Sequence, residues 1–403
     1  MDNAKAVAVE AVAASERKMV DSLKDMVKIP AISPLSGGKG ESARADMLES
    51  LISGFGIKVR RYDYVDDSKA KRSNLIATYG GAKSTLWVIS HIDTVAPGDL
   101  ALWDHDPFDP VEKDGKIYGR GTTDDGQSAI GSIYALKALI DAKAQPRYNF
   151  GVCLAADEEV GSEYGIKRLL KENIFGKDDL ILVPDFGTSD GMSIEIAEKG
   201  VLWLRITAVG KQVHASTPDL GVNAYRAMIR LLYEIDRVLH GKYNAKNPLF
   251  SSDYSTFEMT KHEANVESTN IVPGKEVSYM DCRILPEYKI DDILNTINEA
   301  ASKVGADTGA KFKVEIFNRE DPAPPTKSDS KVAVELANAI KSLRNKEPKF
   351  IGIGGGTVAK HFRDENIPAA AWETCEDIAH IPNEYCKIAD MVEDAKVFAY
   401  MAL

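Results

Sequence analysis

Two histidines and several carboxylates stand at the ends of apolar, strand-like runs of this chain or in adjoining loops, and these are the residues whose types and spacing could do chemistry. His91 and Asp93 follow the run TLWVIS. A strand sets residues two apart on one face, so Asp93 could orient or buttress the His91 ring. Asp124 and Asp125 lie in GRGTTDDG, whose glycines permit a tight turn. Asp157, Glu158 and Glu159 follow FGVCLAA. Three carboxylates closing a buried strand repel one another and lose hydration unless a cation or water neutralises them. Asp185 follows LILVP, and His380 stands in AHIPNE. Taken singly, each has a plain structural explanation: a hydrogen-bonded pair, a helix cap, an acidic loop in solvent, a structural histidine. Taken together they mix imidazole nitrogen with carboxylate oxygen, the donors that zinc uses. Two divalent ions balanced by three carboxylates and a hydroxide would make a workable hydrolytic centre.

The elements that must position these residues are legible in outline. Met19, Leu23, Met26 and Val27 recur at helical spacing and stop before Ile29-Pro30, which predicts a helix ending there. Met47, Leu48, Leu51, Ile52 and Phe55 mark a second helix, closed by Gly54 and Gly56. Continuous apolar runs over residues 74–79, 85–90, 149–156 and 179–183 predict strands covered on both faces. A helix over residues 129–142 falls among them, so strands and helices alternate as in an α/β sheet. Polar groups at strand ends belong where such sheets gather their sites.

The middle of the chain changes rhythm. Strand-like residues 201–209, a helix over 223–239, strands over 255–260 and 276–285, a helix over 291–300 and a strand over 312–317 give the order β-α-β-β-α-β. That is the ferredoxin-like split unit. DPAPPT at 321–326 reads as the exit linker, followed by a helix over 331–343 and strand and loop material to the end. The expected organisation is a discontinuous catalytic α/β domain, residues 1–198 and 322–403, interrupted by a smaller domain over 199–321. The 403 residues carry 61 acidic against 50 basic side chains, a net charge of -11. That field repels a phosphate backbone and argues against a nucleic-acid partner. No run approaches the ~20 apolar residues of a membrane span. Cys153 and Cys282 sit in strand-like runs as buried free thiols, and no secretory leader precedes them, so a cytoplasmic location is expected.

With these motifs assembled, the chain resembles the M20 family of metallopeptidases, which includes dipeptidases, carnosinases, glutamate carboxypeptidases, acetylornithine deacetylase and succinyl-diaminopimelate desuccinylase. The resemblance runs from Ile29-Pro30 to His380 through SHIDTV, WDHDPF, DGKIYGRGTTDD, AADEEVGSEYG, VPDF, GKQVHASTP, NIVP, DCR and GGGT. Several ordered motifs at such intervals are far more specific than any one alone. The resemblance implies a two-metal amidohydrolase, with zinc expected and cobalt or manganese as alternatives. His91 and Asp185 would hold one ion, Glu159 and His380 the other, and Asp124 would bridge both. Glu158 would be the general base and acid, Asp93 the partner of His91, and the peptide between Asp124 and Asp125 would be cis. The inserted domain would be a lid and dimerisation domain, its His214 reaching the site of a partner subunit as an oxyanion donor, which implies a homodimer. Asn270 and Arg283 would grip a small carboxylate-bearing substrate, a peptide or N-acyl amino acid. Gly356 and Thr357 would form a backbone wall beside it.

Two departures bear on substrate. Many members read Asp-x-Lys-Gly after the bridging Asp, whereas this chain has Asp125-Gly126-Gln127. Asp185 resembles the dipeptidases and aminopeptidase-like members, where deacylases have Glu, while the small lid resembles the dimeric deacylases. The peptidase is the preferred reading, the N-acyl-amino-acid deacylase the alternative. An inactive metal-binding scaffold is disfavoured because Glu158 and every ligand type are present. A nucleotide enzyme is disfavoured because SHIDTV replaces a glycine fingerprint and residues 354–357 lack a Lys-Ser/Thr ending.

Overall fold

The structure, a computed structural model, describes residues 3–403. It divides into two compact units: residues up to Ile196 with Thr326–Phe350 and Thr357–Leu403, and Ala197–Pro325 with Ile351–Gly356.

The first unit is built on a mixed sheet in the order Val59–Val65, Lys71–Tyr79, Asn149–Ala155, Thr85–His91, Leu180–Thr188, Ala369–Thr374, Ser193–Glu198, Lys349–Ile353. Its centre is parallel: Asn149–Ala155, Thr85–His91, Leu180–Thr188 and Ala369–Thr374 pair side by side in one direction. Thr85–His91 and Ala369–Thr374 are buried along their whole length, as strands covered on both faces must be. Trp87 and Ile89 pack on one face with Ile166, Leu169 and Phe362. Against the same central strands lie the helices Gly126–Asp141 and Ile388–Ala402. Each fully buried Val, Leu or Ile contributes roughly 1.5–3 kcal/mol, so the apolar runs anchor the polar residues at their ends. Gly151 sits opposite Trp87, where a Cβ would approach the indole to 2.3 Å. Only glycine lets that ring lie flat across the neighbouring strand.

The second unit carries a four-stranded antiparallel sheet in the order Thr256–His262, Lys275–Ile284, Gly200–Val209, Lys311–Glu320. The helices Ala224–Lys242 and Ile290–Thr308 bury Leu202, Leu204, Ile206, Met280 and Cys282 beneath them. Alternate residues of Gly200–Val209 turn inward, a period of two that explains why the strand was legible. Asn223 caps the first helix, its side chain accepting from the Arg226 N–H at 2.9 Å.

Two sequence expectations are corrected. The last residues are not strand and loop but the helix Ile388–Ala402. Its Met391, Val392, Ala395, Val397, Phe398 and Met401 are buried on nearly all sides, so no amphipathic stripe announces it. Asp185 does not follow its strand but lies within it, in Leu180–Thr188. Among the described residues no helix is long and apolar enough to cross a membrane, and all four cysteines are free.

Candidate metal centre

Because the four central strands run parallel, their carboxyl ends share one edge, and the chemistry-bearing residues of the first unit collect there. His91 is the last residue of Thr85–His91 and pairs with Ala155, two residues before Asp157. Asp124 closes the loop that enters the helix Gly126–Asp141, and its peptide to Asp125 is cis. His380 comes from the loop after Ala369–Thr374.

These residues meet. His91 Nε2 lies 2.7 Å from Asp124 Oδ1 and 3.8 Å from Asp185 Oδ1. His380 Nε2 lies 2.9 Å from Asp124 Oδ2 and 3.1 Å from Glu159 Oε2. One carboxylate, Asp124, therefore spans the two imidazoles with one oxygen to each. Ligand-type atoms of His91, Asp124 and Glu159 lie within 4.8 Å of one another, as do those of His91, Glu158 and Asp185.

The three consecutive acids behind the second strand divide their tasks. Asp157 turns away to the buried Arg72, whose Nη1 is 2.8 Å from its carboxylate. Glu158 and Glu159 remain at the site, aimed by Asp93: its two oxygens accept their backbone N–H groups at 3.0 and 3.2 Å. Asp93 also stands beside the His91 ring, with its carbonyl 3.1 Å and its carboxylate 3.6 Å from Nδ1. Thus one residue orients both the imidazole and the acidic turn.

The electrostatics favour a cation. Burial pushes the Glu158 carboxyl up to about 8, reinforced by Glu159, Asp93 and Asp124 against the opposing pull of His91. Asp185 rises well above the carboxylate range through burial and the Glu158 charge. Burial pulls His91 down, yet its contact with Asp124 outweighs this and raises it. His380 is raised to about 10 by Asp124 and Glu159. Buried carboxylates that resist ionisation beside one another are groups a divalent cation stabilises. Asp125, also buried, leaves Oδ1 without a hydrogen-bond partner while Oδ2 accepts the His91 N–H at 3.1 Å. The imidazole and carboxylate donors fit a zinc-type ion in chemistry and number.

The remaining candidate residues lie elsewhere in the chain. His214, Asn270, Arg283 and Gly356 belong to the second unit, and Thr357 to the first. His214 ends a two-residue strand paired with Ile271–Val272. Its Nδ1 accepts the Ser216 N–H at 3.1 Å, which places the ring proton on Nε2, free to donate. Asn270 contacts Ser268 Oγ at 2.6 Å through Oδ1. Arg283 directs Nε and Nη2 to the Asp281 carboxylate at 2.7 and 2.9 Å, and Nη1 to the Gly354 carbonyl at 2.9 Å. Thr357 Oγ1 accepts the Ala359 N–H at 3.1 Å.

Sequence reasoning missed the residues that hold the ligands in place. Glu384, fully buried, pairs with Arg120 and accepts backbone N–H groups from the segment ending in Asp124. Glu373 accepts from Gln127 Nε2 and Ser128 Oγ, both at 2.8 Å. This gives the departure from Asp-x-Lys-Gly a structural partner. A buried acid has to be paired or hydrogen-bonded, but nothing local to Glu373 or Glu384 says that it is buried.

Comparison with known proteins agrees with this architecture. An uncharacterized metallohydrolase of Methanocaldococcus jannaschii is 39% identical over 394 residues, spanning 93% of this chain and 96% of its own length. Succinyl-diaminopimelate desuccinylase of Rickettsia bellii is 25% identical over 374 residues, 92% of each chain. Among solved structures, aminopeptidase PepT from Bacillus cereus shares the fold at a TM-score of 0.78 and 21% identity, over 96% of this chain and 98% of its own. The model of peptidase family M20/M25/M40 matches residues 87–403. The chain belongs to that family of metal-dependent hydrolases of peptide and amide bonds.

Proposed function

We propose that the chain is a dinuclear metal-dependent hydrolase of amide bonds in small carboxylate-bearing substrates, acting chiefly as a dipeptidase or exopeptidase. The observation that carries this reading is the Asp124 carboxylate, set between His91 and His380 with one oxygen toward each. His91, Asp124 and Asp185 would hold one ion, and Asp124, Glu159 and His380 the other, zinc being the expected metal and cobalt or manganese its substitutes. When bound there, the ions supply Lewis acidity to a substrate carbonyl and lower the pKa of water.

The protein's own groups do the rest. Glu158 takes the proton of the attacking water on its carboxylate and passes it to the leaving amine nitrogen. Asp93 fixes the backbone of Glu158 and Glu159 and the ring of His91. His214, with its proton on Nε2, would donate to the oxyanion. Arg283 and Asn270 would bind the substrate carboxylate beside the loop of Gly356 and Thr357. The second unit, residues 199–321 in the reading of the sequence, would act as lid and dimer contact. Among the described residues its edge strand Thr256–His262 lacks a partner on one side, and Tyr225, Ile229 and Tyr233 on the adjacent helix are exposed. A second copy of this chain would cover both. The four unpaired cysteines suit the reducing cytoplasm.

Asp185 supports the peptidase. The relationship to a succinyl-diaminopimelate desuccinylase supports the deacylase as second reading. Elemental analysis should find about two divalent ions per chain, with activity lost to chelators and restored by zinc or cobalt. Full turnover by metal-free protein would end this reading. A panel of dipeptides and N-acetyl or N-succinyl amino acids decides the substrate, since deacylation outrunning every dipeptide would replace the peptidase with the deacylase.

A further inference from the structure

The loop that carries His380 and the loop that carries Asp124 are stitched together by one buried side chain. Glu384 is 0% exposed and its partner Arg120 1%. Glu384 Oε2 takes Arg120 Nη1 at 2.5 Å and the Gly121 N–H at 3.1 Å. Its Oε1 accepts the N–H groups of Thr123 at 3.0 Å and of Asp124 at 3.1 Å. The Glu384 carbonyl in turn accepts the Gly119 N–H at 2.9 Å. Beside it, Thr123 Oγ1 donates to the Tyr385 carbonyl, and Arg120 Nη2 reaches the Ile381 carbonyl at 3.4 Å. Every lone-pair direction of this carboxylate is engaged, and all but the arginine contact go to backbone of the segment that ends in Asp124.

We propose that Glu384 is the positioning residue of the bridging carboxylate: it fixes Asp124 and His380 relative to each other, and so sets the affinity of the ion those two share with Glu159. This rests on the dinuclear reading above. The physical argument is geometric. His91 and Asp185 sit on strands of the central sheet, which hold them without help from this loop. His380 sits in an irregular loop at a φ of 65° and its side chain is half exposed, so the sheet alone does not place it. Four residues beyond it, Glu384 is the nearest buried residue of that loop. A ligand carboxylate whose backbone is held by a buried acceptor is already oriented when an ion arrives, and loss of such outer partners costs 10–100-fold in metal affinity.

The test is a cobalt titration of the metal-free full chain, read by visible absorption and calorimetry, for wild type, Glu384→Gln and Glu384→Ala. Expected are two steps in wild type, with one of them losing roughly 10–100-fold in Glu384→Ala and less in Glu384→Gln, while the other changes by under about threefold. Glu384→Gln keeps one carbonyl oxygen for the Thr123 and Asp124 N–H groups, and it secures the experiment should the alanine variant fail to fold. Turnover should follow the ion: kcat falls at limiting cobalt and recovers at saturating cobalt, with substrate KM unchanged. A role in stability alone would lower the melting temperature and leave both steps in place. Both steps within about twofold of wild type in a folded variant would overturn the proposal. A wild type that takes up a single ion would instead overturn the dinuclear reading, and the clamp is then judged on that one step by the same 10–100-fold loss.

Discussion

The two units hold their polar residues in opposite ways. In the first, side chains at the sheet edge are fixed by partners far away in sequence and buried in the fold: Glu384 holds Gly121 across 263 positions, and Glu373 holds Gln127 across 246. In the second, His214 leans on Ser216, Asn270 on Ser268 and Arg283 on Asp281, each only two residues away, with one distant contact, from Arg283 to the Gly354 carbonyl. The difference separates two tasks. Groups that gather charge around a cation have to be preorganised, because buried carboxylates relax into pairs with any available proton or base otherwise. Groups proposed to meet a substrate can be held locally and at least partly exposed, and so remain adjustable.

The most severe test of this contrast is the base. Glu158→Gln should keep fold and metal yet lose on the order of 10²–10⁴-fold in kcat, as removal of a general acid/base does. Near-normal turnover by the metal-loaded variant would remove Glu158 from the chemistry. Glu159→Gln should differ in kind, weakening metal binding itself, which a metal titration reads directly.

Next comes the buried support. Arg72 is 1% exposed, with Glu41 at 2.9 Å and Asp157 at 2.8 Å. Arg72→Met leaves three buried acids, Glu41, Asp157 and Asp66, without their partner and should cost about 3–5 kcal/mol in urea unfolding. The counterpart in the second unit is Arg205, whose contacts to Glu263 and Glu315 are about one-third exposed. Arg205→Met should cost less than about 1 kcal/mol. Equal losses would erase the distinction between the two units.

The smallest effect on turnover concerns substrate. If Arg283 binds a carboxylate, Arg283→Met should reduce kcat/KM roughly ten- to a hundredfold for free acids and little for C-terminal amides, the worth of a charged hydrogen bond. Two of its donors already face Asp281. A variant that loses activity on acids and amides alike would therefore mark Arg283 as the support of the Gly354 loop, and not as the substrate's partner.

Much of this was legible in one dimension. Thr85–His91 and Asn149–Ala155 announce themselves because burial on both faces demands an unbroken apolar run. The inserted sheet does so through alternation in Gly200–Val209. The strand Val59–Val65 escaped because its residues are only half-buried or exposed, with arginine and aspartate among them. The helix Ile388–Ala402 escaped for the opposite reason, being apolar all round.

By itself the sequence determined the candidate donors, their kinds, and the seats of His91 and of the acids 157–159 at the ends of strands, because strand patterning is local and a residue two positions away inherits its face. Tertiary structure alone decided that Asp157 would be surrendered to Arg72, that Glu384 would grip the Asp124 loop, and that Glu373 would hold Gln127. Each of these depends on which buried surface a side chain meets, and where the fold brings distant segments together that choice is set by packing and desolvation, which no local spacing encodes.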